Sequence, residues 1–229
     1  MLIDGATVPI SWAMTMALPA KRLTSTRPTA RLLGPETIMS IMGPLIINLL
    51  FALLAIMLLF GQSFFRCHEF DGSTVDLRRW WELADNFEGA VTTIVIMYQI
   101  LNAAAAFNLG TKYRQGGLQN KIFLTAYGIV FATISFLLLS DPNSLGCQFR
   151  INCGTAPALE NLGYAIPFNA PTVYHAESGH NVLPLYFRVI LFGLMLLNLI
   201  AVMGWELVAI LGPARASLKQ LQQRQPLRL

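Results

Sequence analysis

Charge is sparse in this chain. Asp, Glu, Lys and Arg together make up 12% of its 229 residues, against 55% hydrophobic residues, and the mean hydropathy is +0.54. A soluble globule cannot be covered with so few charges, and the apolar residues come in long blocks rather than amphipathic stripes, which excludes a soluble globular class. Histidine and cysteine are scarcer still, at three each. Cys67-His68 with His175 and His180 matches no strong zinc spacing, so no metal site is expected. No Lys or Arg precedes the first apolar block, where a secretory signal needs one, and Asp4 stands there instead. The net charge of +4 is small and calls for no nucleic-acid partner.

What is present is a series of five apolar blocks: 2–18, 38–60, 90–109, 122–139 and 185–211. A membrane helix needs about 20 apolar residues to cross a core of ~30 Å, so the first block is close to the minimum. The blocks predict an all-α integral membrane protein, a bundle of five transmembrane helices at about 2–18, 38–61, 89–109, 121–140 and 185–211. These form a single transmembrane domain over 1–229 that ends in a basic tail, 212–229. Lysine and arginine accumulate in short cytoplasmic loops. Lys21, Arg22, Arg27 and Arg31 lie in the first connection, Lys112, Arg114 and Lys121 in the third, and Arg215, Lys219, Arg224 and Arg228 in the tail. That side is expected to be cytoplasmic, and the tail to attract membrane lipid modestly. The N-terminus and the two longer connections, 62–89 and 141–184, are then lumenal.

The lumenal connections hold all three cysteines, Cys67, Cys147 and Cys153. An oxidising lumen permits a bridge, and Cys147 with Cys153 is the nearest pair; free thiols are the alternative. The Trp80-Trp81 pair suits a headgroup layer. Within the spans, polar residues are few: Asn48, Tyr98, Gln99, Asn102, Asn108, Asn198 and Glu206. For most of them interhelical hydrogen bonding is the better reading, and Ala103 to Ala106 favours close packing there. Gly43-Pro44 and Pro9 predict kinks, and at Pro9 an unwound turn would bare backbone carbonyls to a cation.

Asp4 stands apart, because a carboxylate at hydrocarbon depth costs a few kcal/mol or more and generally lies on a substrate or ion path. After it come Lys21-Arg22-Leu23, Arg27-Pro28-Thr29-Ala30, Leu32-Leu33-Gly34-Pro35 and the next apolar run. This order resembles the sixth membrane helix and following cytoplasmic loop of P-type ATPases of the fifth class, subgroup B, the endolysosomal polyamine and cation pumps. Phe87-Glu88, the Tyr98-Gln99 pair, and Leu197-Asn198 with Glu206 are similar to that family's eighth and tenth helices, so the resemblance covers essentially the whole chain.

The resemblance implies that the five helices are the sixth to tenth of a pump, the C-terminal transmembrane portion of an ATP-driven transporter of a polyamine or another cation. It implies a late endosomal, lysosomal or vacuolar membrane, and gives Asp4 the role of one acidic group at the substrate site. The Asp-Lys-Thr-Gly-Thr phosphorylation sequence is absent from these residues, so this polypeptide by itself is not expected to hydrolyse ATP. ATP and Mg would bind the remaining cytoplasmic domains of the parent pump, and no cofactor is expected in this chain. A free-standing five-helix transporter or channel and a non-catalytic membrane accessory protein are the other classes open to such a sequence.

Overall fold

A computed structural model describes residues 2–20, 34–67, 78, 85–110 and 113–212. The Arg27-Pro28-Thr29-Ala30 string, the Trp80-Trp81 pair and the tail after Gly212 lie outside the described residues. The described residues form helices α1 (Leu2–Thr15), α2 (Pro35–Phe60), α3 (Phe87–Phe107), α4 (Lys121–Leu139), α5 (Ser144–Gln148), α6 (Ala156–Asn161) and α7 (Leu185–Trp205). A π-helical turn, Glu206–Ile210, continues α7. Among the described residues, pairing between extended segments is confined to two isolated bridges, Pro19 with Arg114 and Gly154 with His180.

Among the described residues, four helices are long and apolar enough to cross a membrane: Thr37–Phe60, Phe87–Phe107, Lys121–Leu139 and Leu185–Ile210. The chain is therefore an integral membrane protein. The first apolar block behaves differently. At 14 residues, α1 is about 21 Å long, short of a ~30 Å core. Residues 16–18, expected to be helical, leave the helix because Leu18 precedes a proline, which biases it towards extended backbone. They run instead beside 113–115, with Gln115 N–H donating to the Leu18 carbonyl (2.8 Å) and Ala20 N–H to the Tyr113 carbonyl (3.3 Å). At the other boundaries the expected ranges hold within three residues. α3 starts at 87 rather than 89 because the Asn86 side chain accepts from Gly89 N–H, an N-cap that the hydropathy pattern alone does not mark.

α3 is the inner helix. It has the lowest mean hydropathy of the four, 1.6, and the most burial, 61% of its central window against 22% for α2 and 28% for α4. A helix surrounded by protein can carry Tyr98, Gln99 and Asn102, whereas α2 turns Leu45, Leu49, Leu53 and Met57 outwards as lipid would require.

The chain divides into two compact units. One comprises Met1–Ile3, Ala52–Tyr98 and Val130–Met195. Its long connection folds as a small cap: Cys147 and Cys153 are joined in a disulfide with Cα atoms 5.0 Å apart, packed against Leu159 and Val182. Buried Arg188 of α7 closes the end of α4, donating to the carbonyls of Leu139 (2.9 Å) and Ser140 (2.6 Å) and pairing with Asp141 (2.9 Å). A cation there both satisfies orphan carbonyls and meets the negative end of the helix dipole.

The other unit comprises Asp4–Phe51, Gln99–Ile129 and Leu196–Leu229. Here Trp205 of α7 crosses α2 at Gly43 and donates from its indole nitrogen to the Met39 carbonyl (3.1 Å). A Cβ at Gly43 would lie 2.0 Å from the indole Nε1 and 2.1 Å from Cε2. Only glycine permits this approach. Gly43→Ala is expected to force the two helices apart and cost about 1 to 3 kcal/mol, as overpacking does elsewhere. A fall in the thermal midpoint of the purified protein, reversed in part by Trp205→Ala in the same chain, is the expected result; an unchanged midpoint for Gly43→Ala would show that the contact is loose.

Candidate functional site

Asp4 sits in the first turn of α1 with its side chain exposed. The helix has two faces. Ala6, Ile10 and Ala13, spaced by four and three, are buried, while Asp4, Val8, Ser11, Trp12 and Thr15 are exposed. The buried face is anchored at its end, where Asn120 Nδ2 donates to the Ala13 carbonyl (2.9 Å) while Asn120 Oδ1 caps α4 by accepting from Phe123 N–H (3.1 Å). One asparagine therefore sets α1 against α4. The exposed face carries the carboxylate and two hydroxyls along an otherwise apolar helix.

The unwound turn expected at Pro9 is not formed, and α1 runs continuously through it. Pro9 stands mid-helix and costs one backbone hydrogen bond, and α1 is held across it by its buried face, with Ala6 before the proline and Ile10 and Ala13 after it. Pro9 has no N–H to offer the carbonyl of Gly5, four residues back along α1. The exposed Asp4 carboxylate is a negative group of the kind that an ammonium or another cation pairs with.

The intramembrane asparagines converge in the same unit. Asn102 Nδ2 donates to Asn198 Oδ1 (2.9 Å), Asn198 Nδ2 donates to Asn48 Oδ1 (2.9 Å), and Gln99 Nε2 donates to the Asn48 carbonyl (2.7 Å). Gln99 and Asn102 are three apart and share a face of α3. The set links α2, α3 and α7, with Asn102 and Asn198 almost wholly buried. Each of these residues is legible as an interhelical bonding group; their closure into one network is not.

Glu206 is the residue whose setting the hydropathy pattern conceals. It opens the π-helical turn, where Leu211 N–H reaches back five residues to the Glu206 carbonyl (2.9 Å). The side chain is 6% exposed, and among the described residues its Oε2 has no hydrogen-bond partner. π-turns concentrate at functional positions, and a buried carboxyl in a span is costly enough to need a purpose. The signal available beforehand is only an acidic residue late in an apolar block.

The other unit holds a second polar cluster, in the cap. Asp85 pairs with Arg150, whose carbonyl accepts from Asn181 Nδ2 (2.7 Å), and Asn181 Oδ1 accepts from Cys153 N–H (2.9 Å). Beside it Arg66 Nη2 lies 3.4 Å from His180 Nε2, and its guanidinium stacks 5.4 Å over the Phe87 ring. Burial, and then the Arg66 charge, push the His180 pKa down to about 4 from an ordinary 6.5. Cys147 and Cys153 close this cap rather than contribute to a ligand site. Among the described residues no group of three or more His, Cys, Asp or Glu is placed to hold a metal ion.

No protein-family model matches the chain, and no curated protein matches it.

Two outcomes follow from this geometry. Asn198→Leu removes the shared member of the network and leaves Asn102 Nδ2 and Asn48 Oδ1 each short of a partner. At ~0.6 to 1.7 kcal/mol for each interhelical bond, the loss is about 1 to 3 kcal/mol. Asn198→Gln should restore part of it in a denaturation series, and an Asn198→Leu protein as stable as wild type would dissolve the network's role. For His180 the folded pKa lies below the unfolded one, so its contribution is complete above pH 6.5 and is lost as pH falls from 6.5 towards about 4. Hydrogen exchange at Thr155 and Asn181, corrected for the chemical rate, should accelerate across that window in wild type and not in His180→Gln.

Proposed function

We propose that this chain is the C-terminal transmembrane portion of an ATP-driven cation transporter, a P-type ATPase of the fifth class, subgroup B, and that a polyamine or related polycation is its substrate. The observation that carries the reading is the exposed carboxylate of Asp4 in the first turn of α1. An amine in a low-dielectric setting needs a charge partner, and a carboxylate supplies one.

In this reading α1 is the membrane-embedded end of the sixth pump helix, and α2, α3, α4 and α7 are the seventh to tenth. Its open face meets the parent's remaining helices and the substrate. The Phe87-Glu88, Tyr98-Gln99 and Asn198 residues that carry the resemblance start α3, occupy its interior and join α7 to α2 and α3, which suits a supporting bundle behind a substrate path. Catalysis of ATP hydrolysis belongs to the parent's cytoplasmic domains, with ATP and Mg bound there. The membrane is that of a late endosome, lysosome or vacuole, the 113–121 side is cytoplasmic and the cap is lumenal.

Asp4→Asn in the full-length pump tests this. Removing one carboxylate of a charge-paired amine costs on the order of 2 to 4 kcal/mol. The expected result is a large rise in the polyamine concentration needed to speed phosphoenzyme decay, with autophosphorylation largely intact because that step occurs on a distant domain. A packing role alone would instead lower expression and leave the concentration dependence unchanged. An unchanged curve in a well-expressed variant would remove Asp4 from the substrate site.

A further inference from the structure

At the junction of α3 with α4 lies a cleft of about 390 Å³, a size that holds a small ligand or one acyl chain. Its walls are mostly apolar: Leu109 from the end of α3, Phe123 and Leu124 from α4, and Leu199 and Met203 from α7. Leu199 and Met203 are four apart on one helical face. Leu118, in the connection between α3 and α4, stands at the rim and is 83% exposed. A leucine that exposed in a polar turn is unsuited to water and well suited to the acyl boundary of a bilayer.

The connection between α3 and α4, at the mouth of the cleft, carries charge of one sign. From Gly89 to Ser140 the sequence contains no Asp or Glu, and its charged residues are Lys112, Arg114 and Lys121. Lys121 is exposed at the first residue of α4, two positions before Phe123. Arg114 precedes the cleft-lining Gly116 by two residues and donates to the carbonyl of Phe107, the last residue of α3. Two membrane helices end here, so the mouth of the cleft lies at headgroup depth and its floor at hydrocarbon depth. An apolar slot with Arg114 and Lys121 at its mouth complements an anionic amphiphile.

We propose that this cleft is a binding site for one anionic phospholipid, with an acyl chain against Leu124, Leu199 and Met203 and its phosphate met by Lys121 and Arg114. The site is independent of Asp4 and of any transport role, because none of its residues lies on the exposed face of α1. It differs from the general attraction of a basic surface, since the chain as well as the headgroup is recognised. A lipid so placed would bridge α3, α4 and α7 at one end.

The test uses the purified full-length protein in phosphatidylcholine nanodiscs carrying trace photoactivatable phosphatidylglycerol or phosphatidylcholine, with crosslinked peptides identified by mass spectrometry. Phosphatidylglycerol should label the 116–127 segment in preference to phosphatidylcholine, by about fivefold for each basic residue engaged. Arg114→Gln with Lys121→Gln should abolish that preference. Leu199→Trp should fill the slot and lower labelling by both lipids, and Met203→Phe supplies a milder filling variant if the first fails to fold. Equal labelling by the two lipids in wild type would mean ordinary annular lipid and overturn the proposal. A preference for phosphatidylglycerol that persists in both filling variants would mean a headgroup held at the surface with no chain in the cleft, and would overturn it equally.

Discussion

Asn198 donates to Asn48 on α2 and accepts from Asn102 on α3, in a part of the molecule where no water competes for either bond. In hydrocarbon the hydrophobic effect does not draw helices together, because lipid is as apolar as leucine; polar closure and small residues must do it. The network therefore fixes which faces of α2, α3 and α7 meet. Ala103 to Ala106 continue the α3 side with small side chains, and Gly43 lets Trp205 of α7 come against α2 within the same unit. The same rule recurs in the other unit, where Arg188 and the Asn152 and Asn181 side chains take up carbonyls and N–H groups that helix ends and turns leave over.

Apolar length marked four of the five expected spans, and two helix boundaries moved where a side chain overrode it. Asn86 pulled the start of α3 forward, and Pro19 ended α1 before the apolar run did. Hydropathy could not say that α3 is the inner helix, though its lower apolar content was the trace of it. The short helices α5 and α6 of the connection 141–184 leave no mark in the hydropathy, since five- and six-residue helices depend on local contacts and on the disulfide-centred core.

Site residues divide along the same line. Asp4 could be picked out by composition alone, being a charge in an apolar block. Its openness could not, because exposure depends on which face of α1 the bundle occupies, and Ala6, Ile10 and Ala13 settle that. The π-turn at Glu206 left no mark in the pattern, since a single five-residue irregularity changes neither the length nor the hydropathy of the span. Arg188 was hidden for a related reason: a basic residue one turn into a helix reads as a snorkelling surface group until the end of α4 is found beside it.

The functional account joins an asparagine network that ties α2, α3 and α7 with a short helix whose exposed face bears a carboxylate. Its central claim is that this helix belongs to a pump whose phosphorylation domain precedes it. Sequencing the native messenger across the codon for Met1 tests that most directly. The account predicts a continuous reading frame upstream that encodes an Asp-Lys-Thr-Gly-Thr sequence and a nucleotide-binding domain. An in-frame stop codon shortly before Met1 in the mature messenger would contradict it.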